Sequence, residues 1–455
     1  MRTLAGILTS ATILLACGFA RADDRPLLLS TSGTDLGAGA PAATAPSTAS
    51  SSDVDAKIAR LEARLADLEK KSDGFKLPSW LEGVSITGFI QPQLIMNVFN
   101  AAASPNATGG VLPDGIGPND VVARPNGDTT NTSFFRIRRS RARITYNPSP
   151  YASFTIELEP IVTGGPVPGS GTAARNIEAD AIAPFANGRA KLVFGAGIFK
   201  VPFNFETPQS DADRPFVERS FMQRNMFPAD FDTGLHADFT WEKKLLVTAA
   251  VLNGHTIGEQ DFTVVPDLNR GKDLTLRLNY DFGALDVGAS GYFGRGQVVD
   301  GAKLRFKQFN RWAIGGEAAL HHTFSKPLGQ TAVYAEIVVA ENMDRGTIAA
   351  GNLPKIPDDI GADVVNKKEL GAFARIEQNL TRQFIVGFRW DWYTPDYAIA
   401  SNGRHTLGAV FVVNMGKGLR TMIEYDHAMD NVHATGPAPS MRVTDTVSCI
   451  LQGRL

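Results

Sequence analysis

The sequence predicts an all-β protein, a 16-stranded antiparallel transmembrane β-barrel with a short N-terminal coiled-coil helix. From about residue 84 to the C-terminus, apolar residues alternate with polar ones, which is the period of strands with one apolar face. Long and short connections alternate between these strands. After the N-terminal leader no apolar run reaches the roughly twenty residues that a membrane helix needs. A closed barrel is the other structure that satisfies every backbone hydrogen bond in lipid.

Residues 1–22 have the pattern of a secretory signal peptide. A basic residue precedes the apolar run 4–16, and a small-residue cleavage pattern follows at 20–22. This pattern predicts cleavage before Asp23. A second interpretation is a lipoprotein processing site, which would leave Cys17 as an acylated N-terminus.

Composition and motifs argue against several classes of function. The chain has 45 basic and 47 acidic residues, a net charge of −2 that becomes −4 when the two arginines of the leader are removed, so nucleic acid is not an expected partner. Cleavage leaves Cys449 as the only cysteine, and an intramolecular disulfide is therefore excluded. The glycine-rich segment 164–171 lacks the Gly-Lys-Ser/Thr ending of a phosphate-binding loop. His321 and His322 are adjacent on a strand and point to opposite faces. We predict no enzyme activity, no cofactor and no metal site.

Two segments separate the leader from the barrel. Residues 23–52 are dominated by Ser, Thr, Ala, Gly and Pro over most of their length, a composition typical of a flexible linker. Residues 53–72 then carry a heptad seam, formed by Val54, Ile58, Leu61, Leu65 and Leu68. Isolated helices of this length are marginal in water, so the seam favours association of several chains. The alternative is a single amphipathic helix that lies on its own domain.

The barrel is predicted to occupy residues 82–455. Sixteen segments with strand periodicity begin near residues 84, 133, 151, 176, 190, 233, 245, 272, 285, 310, 331, 368, 383, 404, 419 and 441. An even number of antiparallel strands, with long loops at one end and short turns at the other, is the layout of an outer-membrane barrel. The competing folds are a soluble β-sandwich or a propeller, but the loops show no repeat period.

Charged residues on the second and third strands are predicted to form a ladder along the lumen wall: Arg139, Arg141, Arg143, Glu157 and Glu159. A tight turn at 147–150 places Arg143 beside Thr155. In the same register, Arg141 faces Glu157 and Arg139 faces Glu159. We expect Arg139 and Arg141 to form ion pairs with the acids of the ladder. For Arg143 two interpretations stay open: either it forms such a pair, or its guanidinium is free and guides anions.

A long connection follows the fifth strand. Residues 201–232 contain prolines at 202, 208, 215 and 228, which interrupt any long helix or central strand. Long connections that remain ordered are usually functional, so this loop is the first candidate for a functional element.

The sequence around this loop resembles the phosphate-selective porins O and P. The similar elements are Gly-Ile-Phe-Lys-Val-Pro-Phe at 197–203, Phe-Val-Glu-Arg at 216–219 and Thr-Gly-Leu at 233–235, and the resemblance extends over roughly residues 84–455. It implies a homotrimeric porin of the bacterial outer membrane, with the third loop, 201–232, folded into the pore and the N-terminal segment in the periplasm.

The resemblance also implies roles for individual residues. Those expected to set the loop are Lys200, Glu206, Glu218 and Arg219, and those that could bind anions are Arg214, Arg219 and Arg224. Phosphate-selective members have a lysine-rich funnel, whereas arginine outnumbers lysine here and inward acids are abundant. The expected function is passive diffusion of small hydrophilic solutes or ions, with anions such as phosphate among the candidates. The alternative is a structural outer-membrane protein anchored to the periplasm through its coiled coil.

Overall fold

A computed structural model describes residues 83–99, 132–160, 173–227, 230–254, 271–300, 305–324, 329–343, 367–398, 403–416, 418–430 and 442–455. The predicted signal peptide, linker and coiled-coil segment lie outside the described residues. In the part of the chain that is described, no helix has the length and apolar character needed to cross a membrane.

Sixteen antiparallel strands form a closed barrel, which confirms the predicted fold of this region. The strands are β1 (Val84–Phe99), β2 (Thr132–Ser149), β3 (Ala152–Glu159), β4 (Ala173–Phe185), β5 (Ala190–Lys200), β6 (Phe231–Trp241), β7 (Leu245–Leu252), β8 (Asp273–Asp281), β9 (Leu285–Asp300), β10 (Arg305–Thr323), β11 (Gln330–Glu341), β12 (Lys368–Asn379), β13 (Phe384–Thr394), β14 (Arg404–Gly416), β15 (Leu419–Asp430) and β16 (Arg442–Arg454). Each strand pairs with its neighbours in sequence, and β1 pairs with β16 to close the barrel. The predicted starts differ most at β4 and β10, which begin several residues earlier than expected because the ladder continues into polar segments.

The predicted register between β2 and β3 is wrong by two residues. Arg143 pairs with Glu157 instead of Thr155, and Thr145 pairs with Thr155. The cause is the hairpin, in which β2 continues to Ser149, an irregularity separates Tyr146 from Ser149, and the chain turns only at 150–151. A shift of two residues keeps the side chains on their predicted face, so Arg141 and Arg143 still lie beside the acids of β3, whereas Arg139 is moved past Glu159.

The two faces of the barrel wall have opposite character. On β8, Leu274, Leu276 and Leu278 are exposed on the outer surface, whereas Thr275 between them is buried. The same alternation places Phe388 outside and Arg389 inside. The outer surface is therefore an apolar belt, and the inner surface carries most of the buried charge.

The hydrophobic core lies inside the barrel, between the inner wall and the connection from β5 to β6. Phe203, Met222 and Phe227 of this connection belong to one cluster with wall residues such as Leu252 and Tyr292. Phe216 and Val217 belong to a second cluster, with Val410, Val412, Met422 and Ile450 of the wall. The connection is thus folded into the barrel and packed against its wall.

Candidate functional site

The connection between Lys200 and Phe231, residues 201–230, is called the inner loop below. It contains one short helix, α1 (Phe221–Met226), whose N-terminal cap is Ser220. The Ser220 hydroxyl accepts a hydrogen bond from the backbone N–H of Gln223 at 3.2 Å. Most of the described residues of the loop are buried, which is unusual for a connection and requires that its backbone groups find partners inside the barrel.

Aromatic packing holds the first and last parts of the inner loop together. The rings of Phe203 and Phe227 lie 4.8 Å apart, and Phe227 meets Tyr292 of β9 edge to face at 5.7 Å. Met222 is packed over Gly371 of β12, where a Cβ atom would lie 2.4 Å from the Met222 Cγ. Burial of each such large side chain contributes about 1.5–3 kcal/mol. Apolar contact therefore supplies much of the attachment of the loop.

The inner loop reaches opposite sides of the barrel. At its start, Thr275 of β8 donates from its hydroxyl to the Pro202 carbonyl at 2.9 Å. Further along, Gln452 of β16 donates from Nε2 to the Ala212 carbonyl at 3.1 Å. Strands β8 and β16 lie halfway round the closed barrel from each other, so the loop crosses the lumen.

Three wall carboxylates accept hydrogen bonds from backbone N–H groups of the loop. Glu336 of β11 accepts from Phe205 at 3.0 Å and from Glu206 at 2.7 Å, both at Oε1. Asp391 of β13 accepts from Phe221 and so supports the first turn of α1. Glu424 of β15 accepts from Val217. These acids, buried in the barrel wall, position the backbone of the loop.

Wall arginines bind the backbone carbonyls of the same loop. Arg389 of β13 donates from Nη1 to the Glu218 carbonyl at 2.7 Å, and Arg420 of β15 donates from Nη2 to the Arg214 carbonyl at 2.6 Å. Arg139 of β2 donates from Nη1 to the Val217 carbonyl at 3.1 Å. Acids of the wall therefore accept hydrogen bonds from N–H groups of the loop backbone, and arginines of the wall donate to its carbonyl groups.

Asp211 lies at the centre of a cluster of four arginines that sequence reasoning did not identify. Arg141 Nη1 is 2.7 Å from Asp211 Oδ2, and Arg219 Nη2 is 3.3 Å from Oδ1. Arg214 donates a hydrogen bond to Asp211, and Arg139 Nε lies 3.9 Å from Oδ1. Burial by itself would raise the pKa of Asp211, but Arg141, Arg219 and Arg214 outweigh burial and hold the pKa well below its usual range.

Glu218 is held by two consecutive arginines, Arg138 and Arg139. Arg138 donates from Nη2 to Oε2 at 2.7 Å and also from Nε, and Arg139 donates from Nη2 at 3.1 Å. Consecutive strand residues normally point to opposite faces. Here Pro92 of β1 has no N–H to donate, and a bulge at 91–92 leaves Arg138 as an extra residue, which allows both side chains to reach Glu218.

The charge of Glu218 depends on these arginines. Burial would raise the pKa of its carboxyl group, but Arg138 and Arg139 hold the pKa well below its usual range. For Arg219 the balance is the opposite, because burial lowers its pKa to about 9 despite the nearby Asp211. Arg219 also forms an ion pair with Asp230 at the end of the loop.

The remaining predicted loop residues also have partners within the loop. Glu206 accepts from the backbone N–H of Ser220 at 3.0 Å, and Lys200 donates to the Gln209 carbonyl. Arg224 donates from Nε to the Arg219 carbonyl at 3.0 Å and stacks its guanidinium over the Phe221 ring at 5.6 Å. These contacts hold the loop in shape.

The predicted charge ladder forms in part. Arg139 does not face Glu159 as predicted, because the shifted register moves it past that residue, and its acidic partners are Glu218 and Asp211 of the inner loop. Arg143 donates from Nε to Glu157 at 2.8 Å, and its side chain is 43% exposed. Arg141 lies 3.5 Å from Glu157 Oε1 and 3.7 Å from Glu159 Oε2. All three arginines of the ladder thus have acidic partners, and two of them also reach the inner loop.

The chain is similar to known outer-membrane channels in fold. No family model matches the chain, and no curated protein matches its sequence. In fold, the chain is similar to the outer membrane channel DcaP of Acinetobacter baumannii, with 9% identity, a TM-score of 0.52 and coverage of 82% of this chain and 97% of that chain. It is also similar to an anion-selective porin from Comamonas acidovorans, with 12% identity, a TM-score of 0.50 and coverage of 82% and 99%. The fold is that of outer-membrane porins, and the expected resemblance is confirmed at this level.

Proposed function

We propose that the protein is an outer-membrane porin for passive diffusion of small hydrophilic solutes or ions, in which the inner loop sets the bore. The observation that carries this proposal is the course of the loop across the lumen, from Thr275 of β8 to Gln452 of β16. A loop held in this way narrows the pore inside the barrel. A few side chains then determine the size of the opening. The mechanism is sieving by size, adjusted by the charges along the passage.

The apolar outer belt supports a position in the bacterial outer membrane. Large side chains such as Phe194, Leu235 and Phe388 are more than half exposed on the outer surface. Soluble proteins rarely expose a continuous apolar surface of this extent, whereas transmembrane barrels require one. We further propose that the chain acts as a homotrimer, with residues 53–72 associating in the periplasm.

The arrangement of charge favours a general channel over a phosphate-selective one. The candidate anion-binding residues Arg214 and Arg219 are paired with Asp211, and Arg224 binds a backbone carbonyl. Arg214 and Arg219 are also buried, with 1% and 4% of their surface exposed, so a phosphate ion would have to enter a closed cluster of charges to reach them. We therefore propose a pore lined by opposed charges with a modest preference between ions.

Planar-bilayer recording of the refolded chain tests this function. We expect stepwise conductance and, in a potassium chloride gradient, a small reversal potential. Inorganic phosphate should leave the chloride current almost unchanged, whereas a phosphate-selective channel would be blocked by it. A correctly folded barrel that conducts no current would contradict the porin proposal and favour a structural outer-membrane protein anchored through its coiled coil.

A further inference from the structure

Four polar side chains converge in the barrel wall at β4, β5 and β6, on strands next to the start of the inner loop. Glu178 and Asp180 are two residues apart on β4 and so share its inner face. His236 lies on β6, with β5 between the two strands. The register aligns Asp180 with Gly195 of β5 and Gly195 with His236. Side chains from two non-adjacent strands therefore meet across a glycine.

Gly195 provides the space in which these side chains meet. A Cβ atom at this position would lie 1.9 Å from His236 Nε2 and 2.6 Å from Asp180 Oδ1. Any other residue at 195 would occupy the volume between the imidazole and the carboxyl group. The glycine is thus part of the cluster, although it contributes no polar atom.

The three potential ligand atoms lie close together. His236 Nε2 lies 2.6 Å from Glu178 Oε1 and 3.7 Å from Asp180 Oδ1, and the three ligand atoms all lie within 4.8 Å of one another. Zinc binds imidazole nitrogen and carboxylate oxygen at about 2.0–2.2 Å, so ligand atoms of one tetrahedral site are about 3.5 Å apart. His236 Nε2 and Glu178 Oε1 would therefore have to move apart by about 1 Å when a zinc ion enters between them.

Asp238 fixes the orientation of the imidazole. His236 Nδ1 lies 3.3 Å from Asp238 Oδ2, which suits donation of the Nδ1–H to this carboxylate. Nε2 then faces the oxygens of Glu178 and Asp180, and the positive charge between them can be supplied by a proton or by a bound metal ion. In metal sites, the histidine ring nitrogen that does not bind the metal commonly donates its N–H to a carboxylate.

We propose that Glu178, Asp180 and His236 form a binding site for a transition-metal dication such as Zn²⁺, with Asp238 as a positioning residue. An imidazole with two carboxylates suits zinc and its neighbours in the first transition row better than Mg²⁺ or Ca²⁺, which prefer sites made of oxygen atoms alone. The three side chains are partly exposed, from 8% for His236 to 20% for Asp180, and Asp180 Oδ1 is buried without a hydrogen-bond partner among the described residues. A dication bound here would change the charge of this part of the wall.

Isothermal titration of the refolded, chelator-treated barrel with Zn²⁺ tests the proposal. We expect one site per barrel that Mg²⁺ does not compete for, with loss of binding in His236→Asn and Glu178→Gln. Asp238→Asn should weaken binding about 10- to 100-fold, the usual effect of removing an outer partner. Gly195→Ala retains all four polar side chains but fills the space between them, and it should also abolish the site.

His321→Asn is the matched control, because Asp286, at 3.5 Å, is the one carboxylate that pairs with His321 among the described residues. This variant should bind Zn²⁺ like the parent protein. Heat-modifiable migration on gels verifies that each barrel is folded. The proposal is overturned if the parent protein binds no Zn²⁺, because a proton would then supply the charge between the ligands. It is also overturned if the His236 and His321 variants bind Zn²⁺ equally. The readout does not depend on channel activity, so its failure is distinct from failure of the porin function.

Discussion

Arg141 of β2 lies 2.7 Å from Asp211 of the inner loop, and this buried ion pair joins the wall of the barrel to the segment that crosses its lumen. Arg141 also lies near Glu157 and Glu159 of the adjacent strand. Arg141 is thus a structural partner of acids, as the sequence predicts, and one of these acids belongs to the inner loop. The pair of Arg141 with Asp211 helps to hold the loop in place.

Substitution of Asp211 should release the inner loop and change the ion preference of the pore. In Asp211→Asn, four arginines would surround a neutral amide, and loss of one partner of a buried pair costs about 3–5 kcal/mol. We expect a higher conductance and a reversal potential shifted toward anions. Asp213→Asn is the control in the same loop, because Asp213 is 52% exposed and pairs with Arg454 near the surface. Equal effects of the two variants would contradict the central role of Asp211.

The ion pairs of Asp211 and Glu218, which help to hold the inner loop, should resist mild acid. The pKa values of Asp211 and Glu218 are lower in the folded protein than the usual values of about 3.9 and 4.3. Their stabilising contribution is therefore complete above those usual values and is lost only as the pH falls through the lower, folded pKa values. Conductance measured from neutral pH down to about pH 5 should show no release of the loop. A transition within that range would indicate that other groups control it.

Glu336 should control the first part of the inner loop. Glu336→Ala leaves the N–H groups of Phe205 and Glu206 without their acceptor, at a cost of about 1–3 kcal/mol for each group that stays buried. We expect a noisier open channel and easier proteolysis of the loop. The control is Glu341→Ala on the same strand, whose carboxylate accepts from Trp312 at 3.0 Å. A quiet channel in both variants would argue against this role for Glu336.

The heptad seam should affect assembly without affecting conduction. Replacement of Leu61 and Leu65 with asparagine places amides in the predicted apolar seam, so trimers should dissociate more readily in detergent. Conductance per pore should stay the same, since these residues precede the barrel. Glu62→Gln, next to the seam, is the control. Trimers of unchanged stability in the seam variant would contradict the assembly role, as cross-linking and native gels can show.

The alternation of apolar and polar residues was enough to predict the barrel, the number of its strands and the faces of most strand residues, although not that of Arg138 at the bulge. This is because strand periodicity is a local property, and a membrane barrel requires it on every strand. The connection after Lys200 could be recognised from its four prolines, which interrupt regular structure. Even the register error between β2 and β3 moved no residue to the wrong face, since the error was an even number of residues.

The partners of the charged residues could not be read from the chain, because they depend on closure of the barrel and on the path of the loop through it. Asp211 meets Arg141 only when the inner loop returns to β2, and Arg138 reaches Glu218 only through the bulge opposite Pro92. His236 meets Asp180 only because Gly195 aligns between them. Contacts of this kind join residues that are distant in sequence, and no local pattern encodes which acid an arginine will meet.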